Sequence, residues 1–293
     1  MRIIIIGGSG LIGGSLYNLL KKNGNEVIAT YHSKKKPNMT KFNILDQKIS
    51  EIVPNINNTD TFLIMSARSN PSWIYDNKEL AYKINVSATI DLIKQLIERN
   101  AKIFFMSSVE IFDGKENEYF EDSKSNPLNY YGKTKVIVEE FLKKNYDNQV
   151  ILRTGWNVGI NKESRCVVSL TYKTLLSKNA RMAFDNSFTI THVEDLASAI
   201  NKIIFKKNNN IYHLSSSQIV KRTELADFII KNSKNGKKMF YEKVPFSEIK
   251  YSEPRSRFNH LRSKINFVNK EIYFRPPYET ILEKVKFLDN LNE

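Results

Sequence analysis

"IIIIGGSGLIGGSL", residues 3–16, is the stretch on which the fold turns. Four consecutive isoleucines put apolar side chains on both faces of an extended chain, as a strand buried on both sides requires. Glycines then stand at Gly7, Gly10 and Gly13, a G-x-x-G-x-x-G array, and from about Leu11 to Lys22 the apolar spacing is helical. Strand, glycine turn and helix in that order let the backbone approach a pyrophosphate. The helix N-terminus then offers free N–H groups and a partial positive charge to it. The alternative is a glycine-rich turn with no ligand; a strand before and a helix after favour dinucleotide binding. Gly7, Ser9, Gly10, Leu11, Ile12 and Gly13 are the residues expected to line it.

The same alternation continues outward. Strands are expected at 26–31, 61–67, 101–108 and 149–155, and helices at 77–99 and 130–144. Apolar strands alternating with helices predict an α/β fold, a Rossmann doubly wound parallel sheet. After about residue 160 the rhythm breaks. Helical patterns at 164–178, 222–232 and 277–289, a "FTITHVEDLASAINKII" unit (188–204), a strand at 210–216 and a loop-like 244–267 region suggest a smaller C-terminal lobe. The expected division is a cofactor-binding domain over 1–160, rejoined by about 188–216, and a mainly substrate-binding lobe over 161–293. No internal repeat is visible, and "KKNNN" (206–210) is the only low-complexity tract.

Composition narrows the function classes. The 293 residues suffice for about two domains of roughly 150 residues, and 41% of them are hydrophobic, enough for a core. No apolar run reaches the ~18 residues of a membrane span, and the N-terminal run is too short for a signal peptide. The single cysteine, Cys166, excludes an internal disulfide and a multi-cysteine metal site, and a reducing cytoplasm is the simple reading. His32, His192, His213 and His260 are scattered without ligand spacing, so no metal is expected. The net charge of +14 favours anionic partners. Its lysines are spread evenly, with no basic arm and no aromatic-basic signature. A phosphorylated cofactor with a nucleotide-linked substrate fits this charge better than nucleic acid, and lysine-rich codon usage fits it equally.

The second strand ends "ATYHSKKKP". An acid there would bind the adenosine ribose hydroxyls of NAD. Tyr31, His32, Ser33 and Lys34 offer hydroxyls and cations instead, which points to the 2′-phosphate of NADP. Further on, "NPLNYYGKTK" (126–135) holds two tyrosines. On a helix, Tyr131 and Lys135 are four apart and share a face, whereas Tyr130 shares its face with Thr134. Only Tyr131 therefore has an ammonium beside its phenol. That charge, with an oxidised nicotinamide, is expected to draw the phenol's pKa down from about 10.

Y-x-x-x-K after this glycine array resembles the extended short-chain dehydrogenases/reductases. The resemblance implies a hydroxyl at the end of the fourth strand. In "FFMSSVEIFDG" that position is Ser108, with Ser107 as its neighbour. The catalytic set implied is Ser108, Tyr131 and Lys135. "SSVEIFDG", the "NYYGKTKVIVEEFL" segment, "ILRTGWNVG" (151–159) and "DNSFTITHVEDLA" (185–197) are more narrowly similar to the dTDP-4-dehydrorhamnose reductase subgroup, strongly to residue 160 and loosely beyond. By position, the resemblance puts Ser66, Ala67 and Arg68 beside the nicotinamide ribose and Asn43 and Ile44 beside the adenine. Arg153 and Trp156 fall near the substrate, although bracing and core roles fit them equally. Ser107, Glu110, Trp156 and Arg255 are the implied substrate contacts.

Two departures bear on the reaction. Val109 stands where the subgroup carries Asp, and Glu110 where it carries Tyr. The resemblance thus implies an NADPH-dependent reductase of a nucleotide-linked 4-keto-6-deoxy sugar, cytoplasmic, with no nucleic-acid or membrane partner and compatible with a homodimer. Two rivals remain: an NAD-retaining epimerase or dehydratase, and a non-catalytic dinucleotide-binding regulator or subunit.

Overall fold

The computed structural model describes residues 1–162, 166–206 and 209–291. In chain order, the first half runs β1 (Ile3–Ile6), α1 (Leu11–Lys22), β2 (Val27–Tyr31), β3 (Thr40–Lys41), β4 (Thr61–Ile64), α2 (Pro71–Asp76), α3 (Lys78–Tyr82), α4 (Thr89–Ile97), β5 (Lys102–Met106), α5 (Tyr130–Asn145) and β6 (Gln149–Arg153). The second half runs β7 (Trp156–Val158), α6 (Val167–Leu175), β8 (Arg181–Ala183), β9 (Ser187–His192), α7 (Val193–Ile204), β10 (Ile211–His213), β11 (Ile219–Lys221), α8 (Arg222–Asn232), β12 (Glu242–Val244), β13 (Phe258–Asn259), α9 (Asn266–Glu271) and α10 (Pro277–Leu291).

Seven strands form one parallel sheet in the order β10-β6-β5-β4-β1-β2-β3. The isoleucine run explains its centre. Ile3 and Ile5 point into one core with Leu16, Leu20 and the α7 residues Leu196, Ile200 and Ile203. Ile4 and Ile6 point into the other with Leu92, Ile93, Val138 and Leu142. All four are essentially unexposed, each worth about 1.5–3 kcal/mol of burial. A polar residue in this run would leave an unpaired group inside one of the two layers. Helices thus cover both faces, a doubly wound α/β fold. The strand order reverses beside β1, so β1 and β5 direct their C-terminal ends at one crevice, where such sheets bind ligands.

The expected helix over 77–99 is interrupted. α3 passes into a π-helical segment, Lys83–Ala88, before α4. Such segments are rare and recur at functional sites, and this one turns Asn85 into the protein. Residues 164 and 165 of the expected 164–178 helix lie outside the described residues. The second core gathers α6, α8, α10 and β9. There β9 pairs with β7, β11 and β13, and β8 pairs with β12. Among the described residues, no helix is long and apolar enough to cross a membrane, and no group of three or more His, Cys, Asp and Glu is placed to hold a metal ion.

Candidate active site

The glycine loop sits between β1 and α1, bound to the end of β2. Gly7 N–H donates to the Thr30 hydroxyl at 3.0 Å, and Ser9 N–H to the Thr30 carbonyl at 3.1 Å. A Cβ on Gly13 would come within 2.4 Å of the Gly7 carbonyl oxygen, so only glycine lets the first turn of α1 pack on the loop. Gly10 is the N-cap of α1 and brings no side chain to its free N–H groups. That leaves the positive end of a 12-residue helix facing the crevice. This donor set fits a pyrophosphate, and the fit rests on backbone geometry alone.

A cavity of about 500 Å³ opens here, lined by Gly7, Gly10, Leu11, Ile12, Gly13 and Ala67 on one side and by Ser107, Ser108, Tyr131 and Lys135 on the other. Tyr131 and Lys135 reach it because of how α5 starts. Asn129 caps the helix, accepting from Gly132 N–H at 2.9 Å, and its amide donates to Glu110 Oε2 at 2.5 Å. A Cβ on Gly132 would lie 2.0 Å from the Glu110 carbonyl oxygen, so the second glycine constraint docks α5 against the turn after β5. Ser108 lies two residues past the end of β5 and caps the short turn Val109–Ile111; its Oγ accepts from Glu110 N–H at 3.2 Å. Lys135 Nζ donates to the Met106 carbonyl at 2.8 Å and stands 5.7 Å from the centre of the Tyr131 ring. Tyr130 lies outside the cavity, and its N–H donates to Glu253 Oε2 at 3.3 Å.

The electrostatics follow from this enclosure. Burial, then the charge of Glu110, raises the Tyr131 phenol well above its ordinary value, against a Ser108 hydrogen bond that lowers it. Burial holds the Lys135 ammonium down to about 8, with Glu139 opposing. Burial raises the Glu110 carboxyl, against the Asn129 hydrogen bond and Arg255, with Glu253 adding to the rise.

A second cavity of about 270 Å³ adjoins the first and shares Glu110, Trp156, Leu170 and Arg255 with it. Its other lining residues include Arg181, Arg222, Phe188, Tyr251, Asn186 and Asn259. Arg222 is the first residue of α8, where the helix dipole disfavours a cation. Its guanidinium donates to Thr171 Oγ1 at 3.1 Å and Asn186 Oδ1 at 3.3 Å and stacks 4.6 Å over the Phe188 ring. Burial pushes it down to about 10, with Tyr251 opposing. These partners are neutral, and a half-buried cation held by neutral groups calls for an anion.

Residues 1–285 match the family model described as the RmlD substrate binding domain. The chain belongs to this family. The protein is similar to methionine adenosyltransferase 2 subunit beta of Xenopus laevis, 28% identical over 233 residues, 77% of this chain and 70% of that one. It is similar to the spore coat polysaccharide biosynthesis protein SpsK of Bacillus subtilis, 28% identical over 79% of each chain. In fold it is similar to the dTDP-4-dehydrorhamnose reductase of Bacillus anthracis solved in complex with NADP, with a TM-score of 0.79 and 21% identity, covering 96% of this chain and 97% of that one.

In this RmlD-family chain the anticipated residues divide in two. The glycine loop, Ala67, the Ser–Tyr–Lys set and Ser107, Glu110, Trp156 and Arg255 come together around the two cavities. Ser9, Tyr31, His32, Ser33, Lys34, Asn43, Ile44, Ser66 and Arg68 do not line either one. His32, Ser33 and Lys34 are exposed beyond the end of β2. The Asn43 side chain closes its own turn onto Asp46 and the Leu45 N–H, and Ile44 packs against the core. Ser66 Oγ is buried without a partner, and the Arg68 guanidinium lies 5.0 Å over the Trp73 ring.

Of the two roles open to Arg153 the structure shows the brace: it is buried, paired with Glu139 at 2.6 Å, and donates to the Glu121 carbonyl at 3.1 Å. One expectation is corrected. The Tyr131 phenol is raised rather than lowered, because burial and the Glu110 charge dominate. Residues that sequence reasoning missed are Arg222, Asn186 and Asn259 in the second cavity, and Asn85. The Asn85 amide bonds both the N–H and the C=O of Arg68 at 2.8 Å, fixing the loop beside the first cavity. An arginine at the first position of a helix was the available signal for Arg222; no local signal marks Asn85.

Proposed function

We propose that the protein reduces the ketone of a nucleotide-linked 4-keto-6-deoxy sugar with NADPH. The observation that carries this is the position of Ser108, Tyr131 and Lys135: they line the cleft between the glycine loop and the arginine-lined second cavity. Residues 1–160, with about 188–216, would hold the dinucleotide, and 161–293 mainly the sugar nucleotide. Gly7, Gly10 and Gly13 would hold the pyrophosphate. Tyr31, His32, Ser33 and Lys34, with no acid at the end of β2, support NADP over NAD.

A reduced nicotinamide, when bound, would supply the hydride that the carbonyl carbon takes up. Ser108 Oγ and the Tyr131 hydroxyl hydrogen-bond the carbonyl oxygen, and Tyr131 donates its proton as negative charge develops there. A raised pKa keeps the phenol protonated, the form a proton donor needs. The Lys135 ammonium stabilises the tyrosinate left behind. Arg222, with Arg255, meets the diphosphate of the substrate, and Tyr251 gives its base an aromatic wall. The test is NADPH oxidation against a panel of 4-keto-6-deoxy sugar nucleotides: turnover supports the reading, and silence across the panel overturns it.

An NAD-retaining dehydratase is disfavoured by Val109, which is buried and cannot transfer a proton. A subunit role is the second reading, favoured by the similarity to methionine adenosyltransferase 2 subunit beta. A cofactor-binding chain that never oxidises NADPH would support it.

A further inference from the structure

The reductase reading leaves one enclosed acid–base group unused. Among the described residues that line the two cavities, Glu110 is the only carboxyl, and no histidine or cysteine lines either one. It belongs to both linings, so it stands where they join, beside the phenol whose pKa its charge raises. Its backbone is fixed by the close approach of Gly132, and its Oε2 by the Asn129 amide at 2.5 Å. A ketone seated against Tyr131 and Ser108 has acidic C–H bonds one carbon from its carbonyl, on the side from which the sugar nucleotide must enter.

We propose that Glu110 is a base toward a hydrogen on the carbon next to the substrate ketone, so that the protein also catalyses proton exchange at that carbon. The inference rests on the keto-sugar reading above. The carboxylate takes the proton as the C–H bond breaks. That bond's electron pair forms the C=C of an enol, while the carbonyl oxygen takes the Tyr131 proton. Reversal with a solvent-derived proton on the carboxyl returns the ketone labelled at carbon. Nothing is oxidised or reduced. Burial makes this carboxylate a stronger base than an exposed one, nearer the operating range of a neutral-pH catalyst.

The test incubates the full-length protein with NADP⁺ and dTDP-4-dehydrorhamnose in ²H₂O and follows deuterium at the carbons flanking the ketone by mass spectrometry and NMR. NADP⁺ keeps reduction from competing. NADPH oxidation with the same ketone is measured in parallel. Exchange at least about tenfold above a protein-free blank is expected. In Glu110→Gln the ratio of exchange to reduction should fall about 10²-fold or more. Glu110→Asp, which keeps the carboxyl, should retain part of the exchange and guards against a misfolded glutamine variant. No exchange above the blank while the same ketone oxidises NADPH would overturn this inference alone, as would a ratio in Glu110→Gln within about threefold of the parent. Failure of both reactions would overturn the reductase reading and this inference with it.

Discussion

Tyr130 and Tyr131 are neighbours in sequence yet meet different surroundings. One is held at the helix start by Glu253, and the other lines the cleft above Lys135. Tyr131→Phe should lower NADPH turnover about 10²–10⁴-fold while NADPH still binds, read by fluorescence titration. Tyr130→Phe should cost little; the reverse order would refute the assignment. The pH profile tests Lys135. Its ammonium, held down to about 8, loses its proton as the pH rises through that value, and the Tyr131 phenol stays protonated there. A fall in kcat/KM above about pH 8 is therefore expected, and a flat profile to pH 9.5 would contradict it. Arg222→Gln should raise KM for the sugar nucleotide by about tenfold or more, for a lost charge-assisted contact of about 1.5–3 kcal/mol, with kcat changed less. Equal losses in kcat and kcat/KM would mean that Arg222 acts in the transition state instead.

The helix that carries Tyr131 and Lys135 is held to the sheet by the Glu139–Arg153 pair, with both side chains about 1% exposed. Burial raises the Glu139 carboxyl, but the Arg153 hydrogen bond and charge, with Lys143, hold it below the usual range. A depressed carboxylate pKa contributes stability above its unfolded value, and that stability is lost as the pH falls through the folded one. Arg153→Leu takes away the carboxylate's nearest cation, leaving Lys143 and the charge of Lys135, and should cost about 3–5 kcal/mol at neutral pH. The loss should shrink on acidification, when Glu139 can protonate; a loss that grows instead would refute the pairing. This pair also marks where sequence reading stops. β1 was legible from its unbroken apolar run and α1 and α5 from helical spacing, with glycine or Tyr–Lys spacing within a few residues. The choice between a substrate contact and a brace stayed open for Arg153 because its partner Glu139 lies on another element, and no local pattern brings the two together. The π-helical turn that aims Asn85, and the short strands β7, β8, β11, β12 and β13, likewise exist only through tertiary pairing. The glycine loop, the Ser–Tyr–Lys set, Glu110, Trp156 and Arg255 were nameable in advance; the arginine-lined cavity was not, because its residues come from β8, α8 and the segment before β13.

At the scale of the whole molecule, the sheet's reversal point, the glycine loop and the second cavity line up so that a dinucleotide and a sugar nucleotide would meet at Tyr131. The net charge of +14 suits two multiply charged anions. NADPH should bind more tightly than NADH by about 1.5–3 kcal/mol if a charged group meets the 2′-phosphate. The preference should weaken with salt, and equal dissociation constants would contradict it. A reductase must also release its oxidised cofactor on every cycle, so the protein should purify largely free of dinucleotide. The most direct measurement follows absorbance at 340 nm and product by mass spectrometry, with purified protein, NADPH and dTDP-4-dehydrorhamnose. One NADPH consumed per alcohol formed is expected, with the rate about 10²–10⁴-fold lower in Tyr131→Phe. Turnover of a sugar nucleotide by tightly bound NAD(H) without added NADPH, or undiminished turnover in Tyr131→Phe, would contradict it.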